Sequence, residues 1–226
     1  MYTMRASAGR RRAAAALIVC SVSLAGFATR TNADNLLAAD TFSEWDSRSF
    51  AGETDYRLVT APDGGTHIAA ASQGTASARY LKRQVDLRET PWLEWRWRVR
   101  QPVAPANEQA KSGDDFAARV YVVYAPSLWP GSIRSLNYVW THREAAGTSW
   151  PNPFTAKARM IALQQGATAN DGAVWRQEKR NIREDLRRFF DIDATHIHGV
   201  AIMTDTDNTG AMAAADYADM RFSASP

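Results

Sequence analysis

From about residue 40 onward, apolar and polar side chains alternate with a period of two in short runs, and clusters of turn-forming residues separate the runs. That period puts successive side chains on opposite faces of an extended chain, so the pattern predicts strands. The clearest run is residues 92–99, where Leu93, Trp95, Trp97 and Val99 share one face and Glu94, Arg96 and Arg98 share the other. One face is expected in a dry core and the other in water. Residues 116–124 repeat the arrangement, with Phe116, Ala118, Val120, Val122 and Tyr124 inward and Arg119 and Tyr121 outward. Residues 217–222 do the same, with Ala218, Met220 and Phe222 inward and Tyr217, Asp219 and Arg221 outward. Residues 197–203 are apolar on both parities, which predicts a central strand covered on both faces.

Asp63-Gly64-Gly65, Gln73-Gly74, Trp129-Pro130-Gly131 and Asp171-Gly172 punctuate these runs. The first separates Tyr56-Arg57-Leu58-Val59 from His67-Ile68-Ala69-Ala70 and predicts a hairpin, because glycine accepts the positive φ of such turns. The expected fold is all-β: an antiparallel β-sandwich of jelly-roll type with about ten or eleven strands. One short helix is expected before the penultimate strand, from Ile182, Leu186 and Phe189 at helical spacing, Asn181 as cap and Glu184 one turn before Arg188. Residues 104–112 and 145–153 lack periodicity and are expected to be surface loops.

The chain has 226 residues and a formal charge of +3, but residues 1–33 hold five arginines and no acid. The remainder carries 22 bases against 24 acids, which leaves no excess for a row of phosphates and speaks against nucleic acid as partner. Residues 1–33 have the layout of an export signal: Arg10-Arg11-Arg12, an apolar run over residues 13–26, then small residues offering cleavage after Ala25, Ala28 or Ala33. The apolar run is shorter than the roughly 20 residues that span a bilayer, so it predicts a cleaved signal peptide rather than an anchor. The expected organisation is a signal peptide over 1–33 and a single β-sandwich domain over 34–226, periplasmic or secreted, with no membrane span after cleavage. The lone cysteine, Cys20, lies in the leader, so disulfides, thiolate metal sites and cysteine nucleophiles are not expected in the mature chain.

Several phrases in order, Gly113-Asp114-Asp115-Phe116-Ala117-Ala118-Arg119-Val120-Tyr121, Leu136-Asn137-Tyr138-Val139-Trp140, Trp150-Pro151-Asn152-Pro153-Phe154 and Thr204-Asp205-Thr206-Asp207-Asn208-Thr209-Gly210, resemble an exported bacterial family known as domain of unknown function 3047. The resemblance covers most of residues 40–222 and implies no activity. The strand pattern is also similar, more distantly, to jelly-roll sugar-binding modules.

Two constellations carry candidate chemistry. Counting Asp205 as position one, oxygen side chains fall at one, three and five, glycine at six and an acid at twelve, the spacing of a calcium loop. Asp205, Asp207, Thr209 and Asp216 are thus candidate ligands of a structural calcium, against the alternative of a turn whose Asp and Asn bond their own backbone. The second is the outward face of Glu94, Arg96, Arg98, Arg119, Tyr121, Tyr217, Asp219 and Arg221. If these strands share one sheet, forked guanidinium donors and aromatic planes converge for carboxylates or sugar hydroxyls; the alternative is a ladder of ion pairs. Trp129 and Trp150 are the preferred exposed stacking pair, while Trp95 and Trp97 are expected in the core. His196 and His198 stand two apart, a spacing that a metal site on a strand could use, although the parity of His198 points to the rim of the core.

No nucleophile elbow, phosphate loop, dinucleotide fingerprint or zinc-protease motif is present. The expected function is a non-catalytic module binding a glycan or another anionic envelope ligand. Two alternatives stand beside it: a polysaccharide hydrolase or lyase using Asp115 or Glu94, with Glu178 as a further carboxylate, and a protein-interaction domain of an envelope assembly. Oligomeric state is not readable from these residues.

Overall fold

The computed structural model describes residues 35–103, 106–127, 129–166 and 174–226. The leader, Cys20 and the Asp171-Gly172 turn lie outside them. After a one-turn helix α1 (Ala39–Phe42), the described residues form strands β1 (Asp46–Ala51), β2 (Asp55–Thr60), β3 (Thr66–Gln73), β4 (Ala76–Asp86), β5 (Trp92–Gln101), β6 (Arg119–Tyr124), β7 (Arg134–Thr141), β8 (Ser149–Asn152), β9 (Thr155–Gln165) and β10 (Arg176–Asn181). Helix α2 (Ile182–Phe190) then precedes β11 (His196–Asp205) and β12 (Met212–Ser223). A seven-stranded sheet runs β1-β4-β11-β6-β7-β9-β8, and a five-stranded sheet runs β10-β5-β12-β3-β2.

The alternation read from the sequence explains the layering. Leu93, Trp95, Trp97 and Val99 of β5 turn inward to meet Val120 and Val122 of β6 and Leu136, Tyr138 and Trp140 of β7 in one core. Trp95 meets Trp97 edge-on at 5.5 Å, Tyr138 at 5.3 Å, and Trp97 meets Trp140 at 5.9 Å, so aromatic rings from both sheets bridge the layers. β11 lies between β4 and β6 and is the expected doubly covered strand. The Asp63-Gly64-Gly65 turn joins β2 to β3, with Gly64 at φ 83°. Asn181 caps α2 by accepting the Glu184 N–H at 3.1 Å. Instead of the expected Glu184–Arg188 pair, Arg183 and Arg187 of this helix both reach Asp193, and Asp185 pairs with Arg180.

Two differences from the sequence reading have topological causes. Residues 149–152, expected in a loop, form an edge strand that carries Pro151, a residue only an edge tolerates. β9 folds back on β8 and inserts between it and β7, so it runs parallel to β7 within an otherwise antiparallel fold.

Candidate functional site

The outer face of the five-stranded sheet gathers part of the expected patch. β5 projects Glu94, Arg96 and Arg98, and continues the same parity to Arg100. Neighbouring β12 adds Asp216, Asp219 and Arg221, and β10 adds Lys179. Arg98 and Arg100 donate to the two oxygens of one carboxylate, Asp216, at 2.7 and 2.9 Å. Arg96 donates to Asp219 at 2.5 Å. Glu94 accepts from Lys179 and Arg221, each at 2.7 Å, and from the Ser223 hydroxyl at 2.6 Å. Burial pushes the Glu94 carboxyl up, but the Lys179 and Ser223 bonds and the Arg221 charge outweigh it and hold the group at about 2. Half-buried Trp175 lies against Arg98 and Arg96, whose guanidinium carbons are 4.7 and 5.2 Å from its ring centre. His67 of β3 meets the same ring edge-on at 5.7 Å, and its own burial lowers its pKa.

Among the described residues of this face, these five cations therefore share three acids. Their side chains remain partly open to solvent, whereas Asp216 is 1% exposed.

The other expected members of the patch lie elsewhere. Arg119 and Tyr121 belong to β6, hence to the other sheet, and both are buried on that sheet's outer side. Tyr217 faces inward, because the register shifts between Ala218 and Arg221, with Asp219 at φ 53°, and this bulge inverts the parity of the first half of β12. Its hydroxyl donates to the Met203 carbonyl at 2.7 Å and accepts the Arg119 N–H at 3.3 Å. Trp150 is 4% exposed, packed beside Phe116, Val139, Met160 and Ala162, so it is no stacking platform. Trp129 is 70% exposed at the β6–β7 connection, which belongs to the seven-stranded sheet.

A second constellation forms where the segment entering β6 meets the turn between β11 and β12. Three of the four phrases singled out in the sequence converge here. Arg119 grips Asp205 with Nε at 2.8 Å and Nη2 at 2.5 Å, and Nη2 also donates to the Asp114 carbonyl. Burial lowers the guanidinium pKa, but Asp205 and its neighbouring acids raise it further, so Arg119 stays charged. Asp115 accepts the Asn208 and Thr209 backbone N–H groups at 3.2 and 2.7 Å, and Asn152 donates to Asp114 at 2.8 Å. Burial raises Asp114 to about 6 and raises Asp207 as well, the Asp115 charge adding to the latter.

The ligand set expected from loop spacing is not assembled. Asp205 and Asp207 come together with Asp115, which approaches from a different segment. Asp216 is taken by Arg98 and Arg100 on the outer face, because β12 has already begun, and Thr209 offers Asp115 its N–H rather than an oxygen.

The residues expected for the hydrolytic alternative do not share a face. Glu94 lies on the five-stranded sheet, Asp115 at the β11–β12 turn, and Glu178 accepts from Trp97 and Gln164 at 3.0 and 2.7 Å. His198 Nδ1 accepts the Ala125 N–H at 3.1 Å while His196 turns to Thr195 and Asp86, so the two rings serve separate local contacts. Arg100 was legible by its parity with Arg98; Lys179 and Trp175 were not, since nothing local announces that β10 pairs with β5.

The family model described as "Protein of unknown function (DUF3047)" matches residues 43–221. No curated protein matches the chain in sequence. Among solved structures, the chain is similar to the family 30 carbohydrate-binding module of a cellulosomal cellulase of Clostridium thermocellum, at TM-score 0.46 and 10% identity over 80% of this chain and 91% of that one. It is also similar to a non-crystalline cellulose specific module, CBM28, at TM-score 0.44 and 12% identity over 83% and 92% of the two chains. A module from Clostridium stercorarium in complex with cellobiose matches at TM-score 0.37 and 14% identity, over 88% and 98%.

Proposed function

The chain belongs to the DUF3047 family, and from its own residues we propose that it is an exported, non-catalytic module whose five-stranded sheet binds an anionic glycan. The observation that carries this reading is that, among the described residues, five cations share three acids on one outer face, beside an indole already seated on two of the arginines. A ladder that served only solubility would balance its charges strand by strand. Here Arg98 and Arg100 share one acid, and Lys179 and Arg221 share another, so among the described residues each pair has more donors than its acid can accept. Guanidinium forks match the geometry of a carboxylate, and an aromatic plane beside them suits the apolar face of a sugar ring.

Affinity electrophoresis of the protein through gels containing a carboxylated polysaccharide or a neutral glucan tests the reading. Retardation by the carboxylated polymer is expected, weakening as salt rises through about 0.15 M because partly exposed charges are screened there. The double variant R100A/R221A should lose most of it. The fold should persist, since Asp216 keeps Arg98 and Glu94 keeps Lys179 and Ser223. Equal migration in both gels, or release of reducing sugar from either polymer, overturns the proposal.

A further inference from the structure

The turn between β11 and β12 gathers more negative charge than the protein around it balances. Asp205 is matched by its two-pronged contact with Arg119, which leaves Asp114, Asp115 and Asp207 with no further cation bonded to them among the described residues. Asp115, Asp205 and Asp207 each offer an oxygen, and these three atoms lie within 4.8 Å of one another. Two ligands of a single calcium can be no farther apart than twice a bond of about 2.3–2.6 Å, so the spacing suits one ion.

The hydrogen bonds leave lone pairs open at the same place. Oδ1 of Asp205 is used by Arg119 Nε and the Phe116 N–H, and Oδ1 of Asp115 by the backbone and side-chain amides of Asn208. Oδ2 of Asp205 accepts one bond, from Arg119, and Oδ2 of Asp115 accepts one, from Thr209. A carboxylate oxygen accommodates two, so each retains an acceptor site. Asp207 accepts a long bond from the Asn208 side chain, at 3.3 Å, and a bond from its own backbone amide.

An independent feature points the same way. Asp114 is outside the triad and its side chain is 5% exposed. Its Oδ2 is satisfied by Asn152, but its Oδ1 has no hydrogen-bond partner and lies 3.7 Å from the Arg119 guanidinium, and the carboxyl is near enough to Asp115 and Asp207 for their charges to raise its pKa. Buried polar atoms are satisfied as a rule, and the cation nearest this one, Arg119, already donates to Asp205 and to the Asp114 carbonyl, so the oxygen keeps an acceptor site open.

We propose that Asp115, Asp205 and Asp207 hold one divalent cation of the oxygen-preferring class, calcium foremost, in a site that joins the segment entering β6 to the β11–β12 turn. The donor set is three carboxylates, without thiolate or imidazole, which is the chemistry of calcium rather than zinc or copper. The ion would reduce three uncompensated charges to one and tie together segments about 90 residues apart in sequence. This site is separate from the glycan-binding face, and neither reading depends on the other.

The test is calorimetric titration of calcium chloride into the full chain after chelator treatment, with the thermal midpoint followed in parallel. One ion per chain is expected, with a dissociation constant on the order of 10⁻⁴ to 10⁻³ M as in extracellular calcium modules, and a midpoint that rises with calcium. D207N, at a half-buried position whose bonds are local ones to Asn208 and its own backbone, should keep the circular dichroism of the parent and weaken calcium at least about tenfold; D115N is the second variant. R100A/R221A should retain the calcium response, so failure of the glycan reading leaves this one standing. No heat and no midpoint shift at about 10 mM calcium, or an undiminished response in folded D207N and D115N, overturns the proposal.

Discussion

Glu94 shows how a single side chain acquires a role that its neighbours in sequence do not announce. The alternation of β5 places it on the wet face with Arg96 and Arg98, and that much is legible. Its actual partners, Lys179 and Arg221, are 85 and 127 residues away and reach it only because β10 and β12 flank β5. Its carboxyl is held at about 2 against an ordinary 4.5, so the unfolded chain binds the proton more readily than the folded one. The stabilisation is therefore fully present above about pH 4.5 and is lost as pH falls from there toward 2. Urea unfolding of the wild type should show a falling midpoint across that window. Glu94→Gln should cost about 1–3 kcal/mol at neutral pH, because charged donors lose their acceptor, and should flatten the acid-side fall. An unaltered acid-side slope in Glu94→Gln would assign the loss to other carboxylates.

At the level of elements, the two-residue period was a sound guide until a bulge interrupted it. β5 and β11 follow their pattern, whereas β12 obeys it only beyond Asp219 and thereby sends Tyr217 into the core. A bulge inverts parity without leaving a local mark when its positive-φ residue is an aspartate rather than a glycine. Gly199 marks a second irregularity, where the register of β11 against β4 shifts between Ile197 and Gly199. A Cβ on this residue would stand 2.8 Å from the Leu81 carbonyl oxygen, a backbone atom inside a paired strand. Gly199→Ala is accordingly expected to destabilise by about 1–3 kcal/mol, the cost typical of overpacking, with an unchanged urea m-value. A variant as stable as the wild type would mean that β4 can yield locally without loss of pairing.

Assignment of strands to sheets belongs to the whole molecule, and there the sequence alone misleads. β5, β6 and β12 share one polarity pattern, yet β6 pairs with β11 and β7 in the other layer, so Arg119 leaves the arginine face and becomes the buried clamp on Asp205. The same separation gives the molecule two polar centres joined through β12. Asp216 turns outward to Arg98 and Arg100, while adjacent Tyr217 turns inward to Thr204 and the Arg119 amide. Among the described residues no polar partner is common to the outer arginine face and Asp207, and side chains without shared partners contribute additively within about 0.3–0.5 kcal/mol. A thermodynamic cycle of the wild type, R100A/R221A, D207N and the combined variant, measured by urea unfolding in chelator, should show coupling no larger than that. Polymer retardation should follow the arginines alone, and the calcium-dependent rise in midpoint should follow Asp207 alone. Coupling well above that size would implicate β12 as a lever between the two centres, since Asp216 and Tyr217 are successive residues of one strand packed in a core that deforms little.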